Sequence, residues 1–115
     1  MEKKRTFKYK DKEITLVFNL NVMQAIQEEY GTVEKWGKLT DGESGEVDVK
    51  ALKFGVTQMI NEGIDIENEE NGTDEPFMTE KKVGRIITEV GLDIMTKTMN
   101  DTVIDATKDD SGKNA

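Results

Sequence analysis

Residues 5–18, RTFKYKDKEITLVF, set the strongest constraint on the fold, because their apolar side chains recur at every second position. Phe7 and Tyr9 fall on one face of an outgoing strand, and Ile14, Leu16 and Phe18 fall on one face of a returning one. The alternation predicts a hairpin turning at Asp11-Lys12. A lone hairpin is marginal in water, so its apolar face must pack on the rest of the chain. The rest of the chain has a different period. From Asn19 onward the apolar residues repeat at three and four, so a single hairpin has to be covered by helices. The expected fold class is therefore α+β, mainly helical, with an N-terminal β-hairpin packed on a bundle of about four helices.

The helices can be placed by their caps. Asn19 or Asn21 can cap a first helix carrying Val22, Ala25, Ile26 and Tyr30, which Gly31 ends. Thr32 caps a short second helix, VEKWGKL, in which Trp36 and Leu39 are spaced to face inward together. The stretch TDGESGE, 40–46, reads as a loop. Asp48 caps a third helix with a stripe of Val49, Leu52, Val56, Met59 and Ile60, ended by Gly63; Phe54 lies off that stripe. Thr79 caps a fourth, and Val83, Ile86, Ile87, Val90 and Ile94 continue its stripe past a break or kink at Gly91 towards Met95, Met99 and Val103.

A chain of 115 residues suits one modest core, so residues 1–107 are expected to form a single domain and 108–115 a flexible polar tail. Between helices three and four, 64–78 reads as a mobile acidic loop: from 64 to 80 there are seven acidic residues and no basic one. Aligning Gly72 with the turn glycine of a calcium-binding EF-hand loop places Glu67, Glu69 and Asn71 at early ligand positions. The closing bidentate position then falls on Met78, so a solvated loop is preferred over a metal site.

The same residues narrow the chemistry. With no histidine and no cysteine, the commonest general base, the thiol nucleophile and most zinc sites are missing. Glu28 and Glu29 are adjacent on a helix and diverge by about 100°, which unsuits them as an acid/base pair. No glycine-rich phosphate loop or nucleophile elbow is present, so an enzyme is not expected, and neither cofactor nor metal. The net charge of −8 argues against nucleic acid and against an anionic membrane surface. The N-terminal segment has no apolar stretch like that of a signal peptide, so the protein is expected to stay in the compartment where it is made. A basic cluster of Lys3, Lys4, Arg5, Lys8, Lys10 and Lys12 reads as a charged strand edge that discourages aggregation, or else as a surface that recruits an acidic partner or pairs with the chain's own acidic loop. Trp36 reads as a core anchor. Phe54, off its stripe, either widens the buried face or stays available to a partner, and Met95 and Met99, one turn apart, read as core packing ahead of an adaptable surface; these three are the candidate partner-binding residues.

In its order of elements the chain resembles the tail assembly chaperones of long-tailed bacteriophages and prophages. Four stretches carry the resemblance: RTFKYKDKEITLVF, NVMQAIQEEYGTVEKW, DVKALKFGVTQMINEG and PFMTEKKVGRIITEVG, together spanning most of residues 5–91. The resemblance implies a non-enzymatic protein that coats the helical, aggregation-prone tape measure protein, helps recruit tail tube subunits, and associates with itself. It would act in the host bacterial cytoplasm and be absent from the mature virion. Two alternatives stay open: a structural tail component kept in the virion, such as a tube or tube-terminator subunit, and a small acidic adaptor that binds a host protein.

Overall fold

A computed structural model describes residues 4–42 and 45–113. Strands β1 (Lys4–Tyr9) and β2 (Lys12–Val17) form the expected antiparallel hairpin, with Phe7 opposite Ile14 and Arg5 opposite Leu16. Its turn is Lys10-Asp11, one residue earlier than the alternation suggested. The two registers differ by two residues, and a shift of two keeps every side chain on its own face, so alternation alone is blind to the choice. Lys10 adopts φ 56°, the left-handed conformation that tight hairpin turns demand.

Among the described residues five helices follow: α1 (Leu20–Tyr30), α2 (Val33–Thr40), α3 (Val49–Asn71), α4 (Glu80–Val90) and α5 (Leu92–Lys113). Asn19, not Asn21, caps α1 by accepting the Val22 N–H. Both asparagines donate side-chain N–H groups to Glu62 of α3, at 2.8 and 3.1 Å, which fixes the start of α1 against that helix. Thr32, Asp48 and Thr79 cap α2, α3 and α4 as their positions predict.

Trp36 is fully buried, and its indole N–H donates to the Ala51 carbonyl of α3 at 2.9 Å. The indole lies directly on the helix at Gly55, where an added Cβ would sit 2.3 Å from a ring carbon. Leu39 does not join Trp36 inside, being 37% exposed; Thr40, one full turn beyond Trp36, takes the inward place and donates its hydroxyl back to the Trp36 carbonyl at 3.1 Å. In so short a helix the i,i+4 partner faces the same wall as the anchor more closely than the i,i+3 one.

Helix α3 corrects the largest sequence expectation. It does not stop at Gly63 but runs to Asn71 and is capped at Gly72, whose φ of 65° is left-handed. The mobile acidic loop expected over 64–78 is thus helical as far as Asn71, and only 73–79 is an extended connector. Gly63 is needed for contact instead of termination: a Cβ there would lie 2.9 Å from the Thr15 carbonyl, so α3 seats its backbone against β2.

Gly91, at φ 109°, separates α4 from α5 and changes the helical phase. Ile94 therefore leaves the apolar stripe and is exposed, whereas Met95 and Met99 enter the core. The helix α5 continues through 108–113, into the stretch expected as a polar tail from 108 to 115; residues 114 and 115 lie outside the described residues, as do Lys3 of the basic cluster and 43–44 of the loop 40–46. One core joins all elements, with Leu16, Ile26, Trp36, Leu52, Met59, Ile86 and Met99 among its members. Among the described residues, no helix is long and apolar enough to cross a membrane.

Candidate functional site

The residues named from the sequence as partner contacts are not a surface. Met95 and Met99 are completely buried in the core, because the reset at Gly91 turns their side of α5 inward. Phe54 is half-buried and packs edge-on against Tyr30, with ring centroids 5.7 Å apart. The three do not form a common exposed patch. Burial, followed by the negative charges of Asp48, Glu29 and Glu80, pushes the Tyr30 hydroxyl above its ordinary pKa. That hydroxyl oxygen is buried, and among the described residues no hydrogen-bond partner reaches it.

What the surface does offer lies around the second half of α3. The connector 73–79 runs back along this helix, and two asparagine side chains hold it. Asn61 accepts the Met78 N–H at 2.7 Å and donates to the Met78 carbonyl at 3.0 Å. Asn68 does the same for Glu75, at 3.0 and 3.1 Å, and also accepts the Thr73 hydroxyl. Seven residues apart, the two asparagines lie two turns apart on nearly one line of the helix. Each amide satisfies a main-chain donor and acceptor together, as a neighbouring strand would.

Between this connector, α3 and the first half of β2 lies an open groove of about 640 Å³. Ile60, Ile64 and Met78 give it an apolar floor, Phe77 stands at its side with 59% of its surface exposed, and Glu13, Glu67 and Glu75 carry acid along its margin. Lys12 and Lys82 are its two cations; the Lys82 ammonium also lies 5.7 Å from the centre of the Tyr9 ring. A smaller hollow on the other side of Phe77 is bordered by Asn21, Gln58, Asn61, Glu62 and Asp65.

The EF-hand alignment cannot form, since Glu67, Glu69 and Asn71 are helical. Among the described residues no cluster of His, Cys, Asp or Glu could hold a metal ion. Glu28 and Glu29 are exposed on α1. Arg5 of the basic cluster forms an ion pair with Asp105 on α5, away from the acidic segment. Further exposed apolar side chains are scattered elsewhere: Leu20 at 78% on α1, Val49 at the start of α3, and Leu92, Ile94 and Ile104 on α5.

Sequence reading missed the groove because it took the acidic composition of 64–71 as a loop signal. The countersignal was present. Ile60 and Ile64 continue the α3 stripe at i,i+4, no proline intervenes before Pro76, and Gly72 is placed as a helix-ending residue. No protein-family model, curated protein or solved structure matches the chain.

Proposed function

We propose that this protein is a tail assembly chaperone of a long-tailed bacteriophage or prophage, one that binds the tape measure protein and keeps it soluble while tail tube subunits are recruited. It is a binding protein and not an enzyme. The supporting observation is the character of its surface: separate large apolar side chains, Leu20, Val49, Phe77, Ile94 and Ile104, stand exposed on a domain with net charge −8. Such a surface can make repeated weak apolar contacts with a long client while its charge keeps the assembly in solution. The sequence of hairpin, helix, short helix and further helices is also that of the resembling family. The contact residues move accordingly from Phe54, Met95 and Met99 to this exposed set. Self-association and action in the host cytoplasm, outside the finished virion, belong to the same reading.

Co-expression with the product of the gene immediately downstream tests it. A soluble complex holding many copies of this chain per client is expected, with solubility of the client lost when Leu20, Ile94 and Ile104 are replaced by serine. A client that remains insoluble and binds nothing would overturn the reading, as would recovery of this chain in purified virions.

A further inference from the structure

Four consecutive residues of β2, from Lys12 to Thr15, border the large groove. A strand presenting a face would contribute alternate residues, so the groove meets its edge. The hydrogen-bond alternation agrees. Tyr9 and Lys12 are partners across the turn, so Phe7 with Ile14 and Arg5 with Leu16 are the pairs that exchange main-chain bonds, and Glu13 and Thr15 direct their N–H and C=O groups away from β1. The Thr15 carbonyl is met on that side by Gly63. Glu13, nearer the turn, is exposed, and outside the hairpin ladder no main-chain partner reaches it among the described residues.

We propose that this groove takes an extended peptide segment carrying basic residues, added beside β2 at Glu13, with its alternate apolar side chains against Ile64, Phe77 and Met78. An unpaired strand edge is satisfied by another main chain, which a helix cannot supply because its own groups are already paired. The opposite wall is an extended chain that Asn61 and Asn68 already hold by its main chain, so the groove has the form of a slot between two extended segments. Charge biases the occupant: Glu13, Glu67 and Glu75 outnumber Lys12 and Lys82 along the groove, and Glu69, Glu70 and Asp74 on the adjoining helix and connector add acid with no further base. This site is independent of the chaperone reading, whose principal client is helical.

The probe is a fluorescein-labelled peptide, Lys-Val-Lys-Phe-Lys-Val, titrated against the full chain by anisotropy. The expected result is saturable binding, weakened at least about tenfold by Glu67→Lys and by N-methylation of alternate peptide amides. Glu13→Pro, which removes an outward N–H and leaves the hairpin ladder intact, should weaken it similarly. Circular dichroism verifies that each variant is folded. Absence of binding, or equal binding of the N-methylated peptide, would overturn strand addition. Insensitivity to Glu67→Lys would overturn the assignment to this groove. A chain that self-associates through an edge abolished by Glu13→Pro, and excludes the peptide, would overturn the peptide as occupant in favour of a second copy.

Discussion

Single residues decide how closely the helices approach. Gly55 lets the Trp36 indole lie on α3 and reach the Ala51 carbonyl, and the ring has no flexible end with which to retreat from an added methyl. Gly55→Ala is therefore expected to destabilise the fold by about 1–3 kcal/mol or slightly more, read as a lower denaturant midpoint at unchanged slope. Tyr30 predicts the opposite. Its ring contact with Phe54 would survive in Tyr30→Phe, and the unpaired hydroxyl would disappear, so stability near neutral pH should hold or rise. The raised pKa gives the sign of the pH effect: the folded state retains the phenolic proton to higher pH than the unfolded state, so stability is constant below the ordinary tyrosine pKa and falls as pH rises through and above it. Chemical denaturation at stepped alkaline pH should show that fall in the natural chain and a shallower one in Tyr30→Phe. Trp36 as anchor was legible because a short helix needs one; Gly55 as its seat was not, because a glycine within an apolar stripe does not announce which side chain will cover it.

At the scale of elements, caps were legible and ends only in part: Gly31 closes α1 and Gly91 breaks the last stripe, as their positions suggest, whereas Gly63 does not end α3. Asn19, Thr32, Asp48 and Thr79 are short polar residues before apolar periodicity, a local signal that the structure uses directly. Gly63 and Gly91 carry the same letter and different work: the first seats α3 on Thr15, while the second breaks α4 from α5. Only tertiary contact distinguishes them, which is why α3 was cut short at Gly63. The connector shows a further device that composition cannot reveal, since Asn61 and Asn68 act through geometry two turns apart. Asn61→Ala leaves the half-buried Met78 N–H and carbonyl without their partner and is expected to cost about 1–3 kcal/mol locally. Amide hydrogen exchange should accelerate over 73–79, with the core of α3 around Val56 and Met59 still protected; uniform acceleration throughout would show that the connector is not held separately.

At the scale of the molecule, the period change from two to three and four at Asn19 was enough to specify a hairpin on helices, because a two-stranded sheet has no other way to bury its face. The groove was not legible, since it arises where β2 meets the distant second half of α3 and where the connector after α3 folds back along that helix, contacts that exist only in the folded chain. The same interdependence predicts how the protein unfolds. Ile14, Leu16 and Phe18 belong to one core with residues of every helix, so the hairpin is not an appendage that can melt first. Leu16→Ala removes a completely buried side chain and should cost about 2–5 kcal/mol. For a domain of this size that corresponds to a fall in Tm on the order of 10 °C or more. Because the loss falls on a shared core, the helical far-ultraviolet signal and the near-ultraviolet signal of Trp36 should shift together in one transition. A helical signal unmoved by Leu16→Ala would mean that the helices fold without the sheet, and that the hairpin is held to them by less than its burial implies.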